Sequence, residues 1–472
     1  MRGPAIPRAA LTVVLTVLTM LAVLTVTLAV AAPPATADSR HAPGAPGVGD
    51  RYFPKAGNGG YGVRHYLLDL TYHPRSRHVE GVATIRARAT DDLSSFDLDL
   101  RGFEISRLTV DGRPAAFTRD GQELVIAPRP RLADGEAFTV RVRYSGTTGR
   151  PVDVTGALYG WVSMPDGALV ANEPDGAPTW YPVNDHPTDK ATYDFRVTVP
   201  AGKTAVANGD LVSSRTRAGW TTWVWHAGDP MASYLATASI GDYRLRSFTT
   251  PDGLPLVHAV DRDLGHRAGR GLARTAEMIG FFEGRFGAYP FSSYGAIVDD
   301  DSVHYALETQ TRPVYSGPPG EITVAHELAH QWFGNSVTLS RWQDIWLNEG
   351  FATYGEWLWK EHDGRRTPAE QFDRWYAEPA GSSLWKQPPG DPGAAGMFDE
   401  SVYVRGAMTL EALREKIGDE AFWTLLRRWH AEHAGGHAST PDLVRLSEEV
   451  SGRRLDGFFQ DWLHEPGKPP SP

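Results

Sequence analysis

The run His326-Glu327-Leu328-Ala329-His330 restricts what this chain can fold into more than any other stretch of its 472 residues. Histidines at i and i+4 lie on one face of a helix, one turn apart. Both imidazoles can then reach one Zn²⁺ at about 2.0–2.1 Å, with the intervening glutamate free to act as a base. Eighteen residues separate His330 from Glu349, which lies in Trp346-Leu347-Asn348-Glu349-Gly350-Phe351-Ala352. A carboxylate from a second helix completes a His₂Glu set and leaves a fourth position for water, as a hydrolytic zinc site requires. A bare five-residue pattern also arises by chance in helices, so the flanks decide. Pro318-Pro319-Gly320 precedes it as a breaker, and Glu321 sits where a helix start favours negative charge. Gly334-Asn335 follows as a stop signal. The pattern predicts a helix over 321–333 with the motif central, and Trp332 and Phe333 read as core.

A chain of this length exceeds one simple core, so two domains are expected. Hydrophobic residues at 41% and aromatics at 11% indicate a folded globular protein, and packing is the expected use of the 15 tryptophans. A net charge of −10 and the lack of a long basic stripe argue against nucleic acid as a partner. The absence of cysteine excludes disulfides, thiolate zinc sites and cysteine nucleophiles. Residues 1–37 read as an export signal. Arg2 and Arg8 form its positive start, residues 9–32 are nearly all apolar, and Ala35-Thr36-Ala37 is a small-x-small cleavage site before Asp38. The expected location is therefore secreted or extracytoplasmic. The apolar run is long enough to span a bilayer, so an uncleaved membrane anchor is the alternative.

Residues 38–60, rich in Pro, Gly and Ala, read as a flexible leader. From Tyr61 short alternating runs take over, such as Tyr66-Leu67-Leu68-Asp69-Leu70-Thr71-Tyr72, separated by turns such as Asp111-Gly112 and Asp120-Gly121. Residues 61–245 are expected to form a β-rich domain of antiparallel sheets. Residues 246–472 shift to a helical period, with helices expected over 350–361, 368–376, 402–416, 419–433 and 440–450. Thr440-Pro441 is a good N-cap and N1 pair. The fold class is thus α+β, a β-rich domain followed by a mostly helical one.

Several segments now fall in order. They are Phe286-Gly287-Ala288-Tyr289-Pro290-Phe291, Ala306-Leu307-Glu308-Thr309-Gln310, the HELAHQWFGN and WLNEGFATY runs, and Val402-Tyr403-Val404-Arg405-Gly406-Ala407. Upstream, Trp180-Tyr181-Pro182 and the run from Asp185 to Thr192 belong to the same pattern. Together they resemble the zinc aminopeptidase family that includes aminopeptidase N and leukotriene hydrolase, over nearly the whole chain after the signal. The resemblance implies a thermolysin-like catalytic domain, one Zn²⁺ per chain, and peptides with a free N-terminus as substrates. It assigns His326, His330 and Glu349 as zinc ligands and Glu327 as general base. Tyr403 becomes the hydrogen-bond donor to the tetrahedral oxyanion, where losing one donor costs about 10²–10³ in turnover. A buried core tyrosine is the competing use. Glu308 matches the glutamate of the family's GxMEN signature, where a carboxylate can pair with the substrate's α-ammonium. Glu173 matches a second acidic residue from the β domain; an ordinary loop acid is the competing use. Glu356 and Asp344 are candidates to receive the second N–H of a zinc-bound imidazole, or are solvated charges.

Two departures stand out. Tyr305 replaces the glycine of GxMEN and Thr309 its asparagine. In the family the segment containing Ala306 presents backbone to the peptide by strand addition, and Tyr305 narrows the first subsite or fills it from the side. The chain also ends near where the family's catalytic module does, so the cleft is expected to be open or closed by another subunit. Rival functions are an epoxide hydrolase or endopeptidase on the same zinc site, or an inactive peptide-binding relative. The complete set His326, Glu327, His330, Glu349 and Tyr403 argues against the last.

Overall fold

The computed structural model describes residues 41–300 and 302–471; the expected signal peptide lies outside the described residues. Among them, no helix is long and apolar enough to cross a membrane.

The first half is β-rich. Its main sheet has eight strands in the order Asp210–Arg217, Trp220–Ala232, Lys190–Pro200, Tyr61–His73, His78–Ala89, Ala137–Thr147, Glu104–Val110 and Arg113–Pro114. The pairings are antiparallel except that Lys190–Pro200 runs parallel to Tyr61–His73. Strand Tyr61–His73 shows how sequence alternation becomes a core face. Tyr61 and Val63 point inward, a register shift follows between Val63 and His65, and then Tyr66, Leu68, Leu70 and Tyr72 point inward. A one-residue shift flips every later side chain, so the bulge reconciles an odd-numbered apolar set with an even-numbered one. Two four-stranded sheets pack beside it. One of them carries Gly160–Ser163 and Ala168–Ala171, the strand that leads to Glu173.

Strand Tyr243–Thr249 begins a five-stranded sheet with Pro255–Asp261, Tyr294–Asp299, Val314–Ser316 and Ala306–Leu307. The boundary expected at 245/246 falls inside this strand, so by pairing the second part starts at Tyr243. Helices Thr275–Phe286, Glu321–Ala329, Trp346–His362, Gly406–Ile417, Asp419–His433 and Thr440–Ser451 form the helical body. The β-rich half and the helical half are fastened by buried polar contacts. The Lys190 ammonium donates to the carbonyls of Asn335 (2.9 Å), Ser336 (2.9 Å) and Gly436 (3.2 Å). The Tyr234 hydroxyl donates to Gly334 O at 2.8 Å. The fully buried Arg312 donates to the carbonyls of Val257 and Tyr294 on one side and of Gly209 on the other.

The flexible leader expected over 38–60 is not found among described residues 42–60. Ala42–Pro43 pairs with Leu93–Asp99, Phe53 is buried, and the Tyr52 hydroxyl donates to Asp391 at 2.6 Å. Asp50 holds the segment down. Its carboxylate accepts from the amides of Tyr52 (2.8 Å), Phe53 (3.0 Å) and Trp342 (2.8 Å), and lies 3.5 Å from His186 Nε2. Composition alone missed this because the anchors are single polar and aromatic residues in a Pro/Gly background. Burial opposes ionisation of Asp50, but His186 and the three amides outweigh it and hold the carboxyl below its ordinary 3.8. A depressed folded-state value stabilises the fold above the unfolded value, and that gain is lost as pH falls through the folded value. Asp50→Asn should therefore lower the urea midpoint at pH 7, with the gap to wild type closing as pH drops below 3.8; a constant gap would refute the assignment.

Candidate active site

The HExxH helix is Glu321–Ala329, shorter than the expected 321–333. Beyond His330 the chain turns, with Asn335 N donating to His330 O at 3.0 Å and Gly334 at φ 117°. This frees the Phe333 carbonyl, which lies 3.1 Å from His330 Nδ1. His326 Nδ1 lies 3.0 Å from Glu356 Oε1. With both Nδ1 positions facing acceptors, both Nε2 atoms present lone pairs. These stand 3.1 Å apart, and Glu349 Oε2 is 3.3 Å from His326 Nε2 and 3.5 Å from His330 Nε2. Ligands about 2.0–2.1 Å from a tetrahedral zinc are separated by about 3.3 Å, which is the edge length of this triangle. Three buried acceptors aimed at one point repel one another unless a proton or a cation sits between them, so the donor set fits zinc.

Packing sets the triangle. Helix Trp346–His362 carries both Glu349 and Glu356, and two glycines let its neighbours approach. A Cβ at Gly350 would come within 2.9 Å of the Gly406 backbone, and one at Gly355 within 2.7 Å of Ala329 Cβ. The first contact admits the segment bearing Tyr403, and the second admits the helix bearing His326 and Glu327. The expected helix over 402–416 begins instead as a π-helical turn, Ser401–Arg405, followed by the α-helix Gly406–Ile417. A π turn accommodates an extra residue and re-aims a side chain; here the Tyr403 ring lies 6.0 Å from that of His326, tilted by 21°. The turn is braced by the buried Arg405, which donates to the carbonyls of Trp462 (2.9 Å), Asp461 (3.0 Å) and Glu465 (2.7 Å).

A cavity of about 480 Å³ opens on the triangle, lined by residues from both halves of the molecule. Glu173, Glu308 and Glu349 bring carboxylate oxygens within 4.8 Å of one another, as do Glu308 and Glu327 with a His330 nitrogen. One oxygen each of Glu173 and Glu308 is buried without a hydrogen-bond partner. Burial, reinforced by the neighbouring carboxylates, pushes Glu173 well above the ordinary carboxylate range. Burial likewise lifts Glu327 to about 8, although both histidines oppose it. Burial would also lift Glu349, but His330 and His326 override it and hold that carboxyl at about 2. Burial and the nearby carboxylates raise Tyr403 far above 10, so its hydroxyl keeps its proton and can donate. The pocket therefore keeps one firmly ionised ligand beside carboxyls that are short of positive charge.

Ala306–Leu307 is the edge strand of its sheet and borders the cavity. The Glu308 carbonyl accepts from Asn335 Nδ2 at 2.7 Å, which fixes this edge to the chain after His330. Tyr305 lines the cavity from the side, its hydroxyl donating to Leu158 O at 2.6 Å. Thr309 donates its hydroxyl to the Arg312 carbonyl.

Asp344 requires a correction. Its carboxylate accepts from Thr440 Oγ1 at 2.7 Å and pairs with Arg341 Nε at 2.8 Å, in a turn ahead of the Glu349 helix. It touches neither imidazole. The second acceptor is the Phe333 carbonyl, which no side-chain pattern reveals. Sequence reading also missed the cavity wall at Asp153, Leu158 and Phe398, where no motif marks the residues. Arg405 lay inside the Val402–Ala407 run and was legible there, but its role was not.

The family described as "Peptidase M1 N-terminal domain" matches residues 63–235, and "Peptidase family M1 domain" matches residues 316–462. A crystal structure of an M1 zinc metallopeptidase from Deinococcus radiodurans superposes with a TM-score of 0.84 at 33% identity, covering 90% of this chain and 98% of that one. A variant of that enzyme bound to a Tyr-Ser-Ala substrate aligns with the same TM-score. Aminopeptidase N of Streptomyces lividans is 28% identical over 439 residues, 85% of this chain but 50% of that protein. The chain spans about half the length of the curated relatives it matches, or less. It belongs to peptidase family M1, and the zinc of that family fits the His326, His330 and Glu349 triangle.

Glu356→Gln leaves all three ligands but weakens the acceptor behind His326. Competition with a chromophoric chelator should show zinc affinity falling about 10–100-fold, the usual cost of losing such a partner. Unchanged affinity would mean that Glu356 is only a surface charge.

Proposed function

We propose that the protein is a zinc aminopeptidase that removes residues from the free N-terminus of peptides. The observation that carries this reading is the pair Glu173 and Glu308, each with a buried oxygen that lacks a hydrogen-bond partner beside the metal triangle. Two carboxylates short of positive charge suit an α-ammonium, which lies one residue from the first peptide bond. An endopeptidase has no use for such an anchor, and an epoxide hydrolase needs no ammonium. The Ala306–Leu307 edge strand offers backbone hydrogen bonds to an extended peptide.

Within this reading the residues divide the work. When bound, zinc polarises the substrate carbonyl and makes water nucleophilic near neutral pH. Glu327, whose carboxyl a cation in the triangle would bring down from about 8, takes the proton from the attacking water and delivers it to the leaving amine. Tyr403, protonated and set beside His326, donates a hydrogen bond to the oxygen that gains charge. Glu173 and Glu308 hold the N-terminus, so that only the first peptide bond meets these groups. Tyr305 closes the side of the first subsite.

The test is hydrolysis of aminoacyl-arylamides by the zinc-loaded protein, with and without chelator. Glu327→Gln should abolish turnover while retaining zinc, and Tyr403→Phe should reduce kcat by about 10²–10³. Acetylating the substrate's N-terminus should abolish cleavage; continued cleavage of the blocked peptide would make the enzyme an endopeptidase.

We also propose export, supported by the charged start, apolar run and Ala35-Thr36-Ala37 of the N-terminal segment. Protein recovered from the culture medium should begin near Asp38. Recovery only from membranes with residues 1–37 retained would indicate an anchor.

A further inference from the structure

A second cavity, of about 350 Å³, adjoins the first. Glu356 and Tyr403 line both, so the two share a wall. Their charges are opposite. The first converges the carboxylates of Glu173, Glu308, Glu327 and Glu349. The second is lined by Lys360, Arg365, Arg366 and Arg374, with Glu356 as its one acidic lining residue.

Two of these cations are already matched. Lys360 pairs with Glu356 at 3.0 Å, and Arg365 with Asp363 at 2.8 Å. Among the described residues, Arg366 and Arg374 pair with no carboxylate; Arg374 lies over the Trp375 ring at 5.3 Å. The cavity also holds an unmet polar group. The Thr353 hydroxyl is buried and has no hydrogen-bond partner, in a residue 6% exposed. Gln371, 5% exposed, is a further lining residue that can supply a side-chain amide. The exposed Arg366 and Arg374 thus line one space together with a buried hydroxyl and an amide, a set that suits an anion with several acceptor oxygens.

The order of groups gives the site its place relative to substrate. Tyr403 and Glu356 line both cavities, whereas Glu173 and Glu308 line only the first. A peptide with its ammonium on that pair and its first carbonyl at Tyr403 therefore has the second cavity beyond that residue.

We propose that the second cavity receives a carboxylate carried on the leaving-group side of the peptide, held by Arg366, Arg374 and Thr353. This rests on the aminopeptidase reading. It makes the enzyme selective for substrates with positive charge at one end and negative charge a fixed distance beyond. The carboxylate is either the C-terminus of a short peptide or an acidic side chain of a longer one. Each residue adds about 3.3–3.6 Å of reach, so peptide length reports where the anion sits.

The experiment uses the zinc-loaded full chain. It compares kcat/KM for di-, tri- and tetrapeptides sharing one N-terminal residue, each as free acid and as C-terminal amide. The arylamide of the same residue is run alongside. At one length the free acid should exceed the amide about fivefold, mainly through KM, with the advantage shrinking as salt is added. In Arg366→Ala/Arg374→Ala that ratio should fall toward one, and the corresponding lysine pair should restore part of it. Circular dichroism checks that both variants are folded. An amidated peptide with glutamate at the favoured position separates the sources. If it regains the advantage, acidic side chains are accepted; if not, the site takes only a C-terminus. Equal rates for acid and amide at every length, with the arylamide cleaved, would overturn the proposal and leave the aminopeptidase reading standing. No turnover of arylamide or peptide would overturn both.

Discussion

Repulsion among buried acceptors governs this structure. Two imidazole nitrogens and a carboxylate oxygen face one another at 3.1–3.5 Å, and three further glutamates stand close by. Without a proton or a cation between them these groups would separate, because facing lone pairs and buried carboxylates repel. The surrounding chain prevents it. Helix Trp346–His362 is buried along most of its length and is gripped through Gly350 by the Gly406 backbone and through Gly355 by Ala329. The energy for holding the site comes from that packing, and a bound cation relieves what remains.

How far the sequence foretold this depends on the kind of information each residue carries. His326, His330 and Glu349 were legible because helical periodicity translates spacing directly into geometry. The helices at Pro368–Tyr376 and Asp419–His433 fell where periodicity put them. The early end of the HExxH helix at Ala329 was not legible, since the residues beyond it still read as helical. What ends it is a set of tertiary bonds, among them Tyr234 to Gly334 and Lys190 to Asn335 and Ser336. Residues 42–60 misled for the same reason, because a composition typical of linkers hides one buried carboxylate that binds three amides. Asp344 shows the reverse error. It was a candidate acceptor for a zinc-bound imidazole, a role the turn at Trp342–Asp344 rules out by directing its carboxylate to Thr440.

The two cavities make a single electrostatic object. Glu356 and Tyr403 line both a basin of carboxylates and a basin of guanidinium groups. Glu356 belongs to both networks, bonded to His326 on one face and to Lys360 on the other. The helix Trp346–His362 thus carries one corner of the candidate metal triangle, the acceptor behind another, and a cation of the adjoining cavity, all in fixed register. Groups carried on one helix keep their mutual distances, which is how a small fold holds a site in shape.

The brace at Arg405 has a temporal consequence. A ribosome delivers this chain from its N-terminus, and the candidate metal triangle, Glu327 and Tyr403 all emerge before residues 461–465. The carbonyls that pin the Arg405 guanidinium belong to that later stretch. Until it arrives, the turn bearing Tyr403 lacks the partners that hold its shape. The growing polypeptide therefore possesses the residues of the candidate metal triangle before it possesses the carbonyls that hold the Tyr403 turn, so the shape of that turn is set by some of the last residues to be made.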